Sequence, residues 1–337
     1  MKSKTIFIGV GLAVIAGLGV WGFSSGHSFS INGNGTGSSG TTKTVSSIAG
    51  LNCDTAQRRP VAVMLESDPE ARPLSGIGQA DAVVEMPVTP NGVTRYMAIY
   101  QCQTPKEIGA VRSAREDFIP LAAGFHTIYA HWGGEHGALA ELNSHIMDDI
   151  NALDFDGTIF YRKDNIPRPH NGFTNLDLLF KQAKIFGYSI VKDFAGYPHA
   201  DAKPAKTISN VATSLTLNYL YPDNVTWTYH ADTNLYSRVR GGTPEIDKNT
   251  GAQVTSRVLA VMHTTWHILT KGDQYIVIHT TGEGSADIYQ DGIKITGTWK
   301  KDAASLDSKL FFYDSTGHEI KFEPGQLWIE VDAVPES

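Results

Sequence analysis

Guanidinium groups gather where this sequence passes from strands to turns and helices: Arg95, Arg112 and Arg115 lie within residues 81–117, and Arg168 stands beside His170 in a later loop. Residues 81–117 read as three strands and the start of a helix. Runs rich in β-branched and aromatic residues (82–84, 93–100, 108–111) are separated there by Pro90-Asn91-Gly92 and Thr104-Pro105. Ser113-Ala114-Arg115-Glu116 has capping-box spacing, which predicts a helix from Ala114 with Ser113 as its cap. Such a terminus offers unpaired amides and roughly half a positive charge, so Arg95, Arg112, Ser113 and Arg115 form a candidate anion-binding site. The competing reading makes Glu116 and Asp117 the anions, with the arginines paired to them.

Loop 154–171 is long and turn-rich, and it gathers Arg162, Lys163, Arg168 and His170. Long loops in compact domains tend to be functional, which makes Arg168 and His170 a second candidate; a solvated surface loop is the alternative. His131, at the end of a short strand over 127–131, and Glu135 and His136 beyond it are candidate metal ligands, yet no HExxH spacing occurs and the histidines read equally well as polar groups at a strand end and a cap. His263, His267 and His279 alternate with apolar neighbours on adjacent strands, so the fold could bring them together; a solvated polar face is the simpler reading. No G-x-S-x-G, P-loop or dinucleotide fingerprint occurs, and no nucleophile announces itself. No cofactor is identified. A divalent cation enters only if the protein is an enzyme, with Asp81 and Asp117 as its candidate ligands.

These groups need elements to hold them, and 337 residues at 41% hydrophobic suffice for a large core. Against 28 Lys and Arg there are 35 Asp and Glu, a net charge of -7 that leaves no broad basic surface and argues against nucleic acid as a partner. Residues 5–23 are uncharged and mostly apolar; as a helix they would extend about 28 Å, close to a bilayer's hydrocarbon thickness. Lys2 and Lys4 precede them. The positive-inside rule then leaves 1–4 in the cytoplasm and sends the rest out as a single-pass, extracytoplasmic protein, with a cleaved signal peptide as the competing reading. On the exported side Cys53 and Cys102 are expected to form a disulfide rather than remain reduced.

Residues 24–47 are Gly, Ser, Thr and Asn with little apolar content, a flexible linker. The expected fold is α+β: a mixed α/β domain over 48–196, then a smaller, mainly antiparallel β domain over 197–337, behind the transmembrane helix. Within the first, Leu139, Leu142, Ile146 and Ile150 predict one amphipathic helix across 138–150, and Thr174 is expected to cap a helix ended by Gly187. Ten short β runs from 214 to 331 suggest a sandwich, barrel or twisted sheet.

The segments RRPVAVMLESDPEARPLSGIGQADAVVE, NGVTRYMAIY, IGAVRSAR, HWGGEHGALAEL and RPHNGFTN, in that order across about 59–175, resemble the YerB-like family of bacterial exported lipoproteins. GSADIYQDGIKITGTWKK through EPGQLWIEV resembles that family's C-terminal domain. The resemblance implies an envelope-facing, membrane-tethered protein with an N-terminal α/β and a C-terminal β-rich domain, and no reaction. No cysteine follows the apolar segment in lipobox position, so the tether here would be the helix itself. A weaker similarity in layout, TRYMAIY to IGAVRSARED followed by YAHWGGEHGALAEL, points to the LytR-CpsA-Psr glycopolymer transferases, whose arginines hold a lipid pyrophosphate. Arg115-Glu116-Asp117 only approximates their Arg-Asp pair.

Two functions follow. One is a tethered module that binds an anionic cell-wall glycan or a partner protein through Arg95, Arg112, Arg115 and His170. The other is a phosphotransferase-like enzyme acting on lipid-linked wall glycopolymers, with the arginines clamping a pyrophosphate.

Overall fold

Three runs in the first half are buried at every position, Val61–Glu66 (β1), Ala82–Pro87 (β2) and Thr94–Tyr100 (β3), as befits strands covered on both faces. The structure, a computed structural model, describes residues 44–201, 214–217, 219–270 and 274–336. The expected membrane span at 5–23 therefore lies outside the described residues. So does most of the linker; its last four residues are ordered, with Thr44–Val45 pairing against Asn52–Cys53 and the Ser46 hydroxyl accepting from the Ile48 and Ala49 amides. No helix among the described residues is long and apolar enough to cross a membrane.

Ile128–His131 (β4) and Asp149–Asn151 (β5) extend the first three strands. The second half adds Val258–Ile268 (β6), Ile276–Ile278 (β7), Gly282–Gln290 (β8), Ile293–Lys301 (β9), Phe311–Asp314 (β10) and Leu327–Pro335 (β11). All eleven, counted among the described residues, form one mixed sheet in the order β10-β9-β8-β6-β11-β2-β3-β1-β4-β5, with β7 beside the end of β6. The β-rich second region thus continues the sheet of the α/β first region. The joint is β11, which runs parallel to both β6 and β2.

Period-two alternation divides the core. Ala62, Met64, Val84, Met97 and Ile329 face one side with Phe118, Ile119 and Leu121, the last two from helix Ile119–Gly124. Val61, Val63, Val83, Tyr96 and Trp328 face the other, under helix Leu176–Phe186 and a second, five-stranded antiparallel sheet that includes Val225–His230 and Leu235–Arg240. Between the two sheets lies a buried layer of charge. Glu85 and Glu330 meet Arg238, which bonds both and also Glu245, with Arg238 Nη1 2.5 Å from Glu330 and Nε 2.6 Å from Glu245. Arg240 reaches Glu85 at 2.5 Å and Asp223 at 2.8 Å. The Arg238 guanidinium rests on the Trp328 and Trp227 rings, 4.2 and 4.9 Å from their centroids.

Several local expectations are corrected. Ser113 caps no helix: its hydroxyl donates to the Trp132 carbonyl, and a 3-10 turn begins only at Glu116, whose amide is taken by the Glu135 carboxylate at 2.8 Å. A group distant in sequence has displaced the local cap. The helix expected over 138–150 stops at Asn143, and Ile150 is in β5, because the chain turns at Ser144 to enter the sheet. Asn175, not Thr174, caps helix Leu176–Phe186; the Thr174 hydroxyl donates to the Ile159 carbonyl. Gly187 ends that helix at φ +77°, where glycine avoids the strain a side chain would bring.

Candidate functional site

Four segments converge at one end of β1 and β3. Glu66, the last residue of β1, lies opposite Arg95, near the start of β3, and alternation puts both side chains on the Met64 and Met97 face. Segment 110–112 is hydrogen-bonded along β1, with the Glu66 amide donating to Ala110 and the Arg112 amide to Met64. The Val111 amide donates to Gly172, which brings the loop carrying His170 alongside. Arg115 follows, where Ala114 bridges to Gly134.

The charged groups meet at ion-pair distance but with poor hydrogen-bond geometry. Arg112 Nε lies 3.0 Å from Glu66 Oε1, and His170 Nδ1 lies 3.0 Å from Glu66 Oε2. Arg95 Nη1 is 3.8 Å from Asp68 and donates to the Thr94 carbonyl; Arg115 Nε is 3.9 Å from Glu135, and its guanidinium stands over the Tyr275 ring. The Nε atoms of Arg95, Arg112 and Arg115 and Nδ1 of His170 are buried without a well-aligned hydrogen-bond acceptor. Buried donors left this way are costly unless something accepts from them.

Burial and the neighbouring Asp68 push the Glu66 carboxyl up to about 7, although Arg112 and Arg95 oppose the rise. Burial acts on Asp68 too, but the bond from Glu66 and the charges of Arg95, Arg112 and His170 more than offset it and hold Asp68 below its ordinary value. The two carboxyls lie within 4.8 Å, so ionisation of one discourages ionisation of the other, and burial favours the proton on Glu66. Arg95 and Arg112 therefore flank the Glu66–Asp68 carboxyl pair, while Arg115 stands nearer Glu135.

Arg95, Arg112, Arg115 and His170 are brought together. Arg168 is exposed, and half-buried Ser113 spends its hydroxyl on Trp132. Asp81 lies beyond the far end of the pairing: β2 begins opposite Ile99, and Asp81 accepts from the Gln101 and Cys102 amides at 2.6 and 2.9 Å. Burial drives Asp117 up to about 8, with Glu135 and Glu116 adding to the effect, and Asp117 is held by the Ile278 backbone. A proton on Asp117 at neutral pH works against cation binding. Of the other histidines, His131 is buried with both ring nitrogens engaged, by the Gly133 carbonyl and Asp149. Cys53 and Cys102 are joined in a disulfide, with Cα atoms 5.7 Å apart.

Sequence reasoning missed Glu66, Asp68, Tyr129 and Tyr275, and considered Glu135 only as a metal ligand or a polar group, not as the acceptor for the Glu116 amide or the partner of Arg115. The available signal was Glu66 itself, a lone acid closing the apolar run VAVMLE.

Comparison with known proteins supplies the lineage. Residues 48–189 match the family described as "Protein of unknown function (DUF3048) N-terminal domain", and 215–329 match the corresponding C-terminal domain. "Putative lipoprotein YerB" of Bacillus subtilis (strain 168) is 34% identical over 278 residues, 82% of this chain and 81% of that protein. The crystal structure of the Bacillus subtilis YerB protein superposes with a TM-score of 0.76 at 30% identity, over 86% of this chain and 96% of that one. With both parts of the family present in order and a matching solved structure, the chain belongs to the DUF3048 family of YerB-like bacterial proteins.

Proposed function

We propose that this is an extracytoplasmic envelope protein, tethered to the membrane through residues 5–23, that binds an anionic envelope component through Arg95, Arg112, Arg115 and His170. A phosphate-bearing wall glycan has the chemistry these groups recognise. The observation that carries the reading is the set of buried Nε and Nδ1 donors that ion-pair with acids but lack a well-aligned acceptor, beside a carboxyl pushed toward neutrality. Its test is association of the full-length protein in detergent with purified phosphate-containing wall polymer. Arg112→Ala with Arg115→Ala is expected to abolish association in protein that still unfolds cooperatively; undiminished association would remove these residues from the reading.

A second reading, a phosphotransferase-like enzyme on lipid-linked wall glycopolymers, draws support from Glu66, whose value near 7 suits general acid-base work beside the arginines. In that reading a divalent cation would need ligands other than Asp81, whose carboxylate is held by the Gln101 and Cys102 amides, and Asp117, whose carboxyl burial raises to about 8. Turnover of a lipid-pyrophosphate-linked glycan that Glu66→Gln abolishes would favour the enzyme; binding without turnover favours the first reading.

A further inference from the structure

We propose that His267, His279 and Glu336 form a binding site for a divalent transition-metal ion of the zinc type, distinct from the arginine cluster. The sheet's register builds it. His267 is near the end of β6, and the His279 amide donates to the Thr265 carbonyl from the β7 side, so His279 stands diagonally across from His267 on the same face. On the other side β11 runs parallel with Trp266 opposite Pro335, and the Glu336 amide donates to the Trp266 carbonyl, which sets Glu336 level with His267. Three neighbouring strand ends thus aim two imidazoles and a carboxylate at one point.

The side chains meet there. Glu336 Oε1 is 2.5 Å from His279 Nε2 and 3.6 Å from His267 Nδ1, the two rings are 5.6 Å apart, and one ligand atom from each residue lies within 4.8 Å of the others. Ligands of a tetrahedral zinc ion stand about 3.3 Å apart, so small rotamer adjustments enclose the ion. Two imidazoles with one carboxylate select zinc, nickel or copper over magnesium or calcium. All three residues are half-exposed, which leaves further coordination positions open to water or an outside ligand.

Two other clusters sharpen the assignment. His263, on the same face of β6, has both ring nitrogens held at 3.1 Å by Asp332 and Asp287, so neither is free to ligate. Glu66, Asp68 and His170 are also within 4.8 Å of one another, but Arg95 and Arg112 repel a cation there.

The test is calorimetric titration of the full-length, chelator-stripped protein in detergent with Zn²⁺, together with visible spectra after Co²⁺ loading. The expected result is uptake that His267→Ala and His279→Ala each weaken by more than the ~10-fold cost of losing an outer-shell partner. Co²⁺ ligand-field bands should appear in the parent and be lost in His279→Ala. His263→Ala is expected to bind as the parent does. Unchanged titrations in the two ligand variants would overturn the proposal, as would an equal loss in His263→Ala. The three side chains are exposed, and metal-free thermal midpoints equal to the parent's show that the variants are folded.

Discussion

Glu85 and Glu330 are register partners on adjacent parallel strands, both wholly buried, and Arg238 from the facing sheet bonds the two carboxylates at once. Like charges side by side in a core repel strongly, so this arginine locks the second sheet onto the first. Removing one partner of a buried ionic group strands the others, which costs about 3–5 kcal/mol. Arg238→Ala is expected to lower unfolding stability by that amount in urea titration. Arg238→Met, which fills more of the space, should fare no better while both carboxylates remain.

The same pair makes stability pH-dependent. Burial lifts Glu330 to about 7, with Glu85 adding and Arg238 opposing, and the Trp227 and Tyr219 side chains donate to it. A carboxyl whose folded value lies above its ordinary 4.5 binds its proton more tightly when folded. This contribution is therefore fully present below about 4.5, declines as pH rises toward 7, and is flat above that. Glu330→Gln should remove this part of the decline in the urea midpoint measured between pH 5 and 8.

Anion binding should carry its own pH signature. Below about 7 Glu66 is protonated and leaves Arg112 and Arg95 available; above it the carboxylate competes for them, and Asp68 and His170 are the other titratable groups facing it. Affinity for wall polymer is expected to fall as pH rises through 7. Glu66→Gln should bind at least as tightly and lose most of that dependence between pH 6 and 8.

Arg115 makes a separate contribution through its planar group. Its guanidinium lies 4.6 Å from the Tyr275 ring centroid, a contact that favours arginine over lysine. Arg115→Lys keeps the charge but should weaken polymer binding by about tenfold, the equivalent of one charge-assisted hydrogen bond. Equilibrium binding at fixed salt measures it.

The Cys53–Cys102 bridge closes a loop of sequence separation 49, and chain entropy assigns it about 4 kcal/mol. Non-reduced, denatured protein should show no thiol from this pair, and the Cys53→Ser, Cys102→Ser double variant should unfold at correspondingly lower denaturant.

Much of this architecture was legible in the sequence. Most strands of the large sheet lie within a few residues of the apolar runs that predict them, although Asp149–Asn151 falls in an expected helix and Val258–Ile268 is one strand where the sequence suggests two; apolar runs and turn residues are local signals. What escaped depends on contacts between distant segments. Ser113 carries a local capping pattern, yet Glu135 serves the helix start. In Leu235–Arg240 the buried face carries Tyr236, Arg238 and Arg240, and the carboxylates the two arginines answer lie on strands as far away as residue 330. Glu66 and Asp68 escaped likewise: an acid ending a strand announces nothing until the register sets Arg95 across from it.

The position of β11 between β6 and β2 bears on how such a chain matures. If export proceeds from the amino end, β2 emerges early yet waits for residues 327–335 before its open flank is covered. The long-range pairing is slow to form, and half-delivered chains would present an unsealed sheet margin to envelope proteases and to one another. The core is therefore complete only once the carboxyl-terminal strand has joined it.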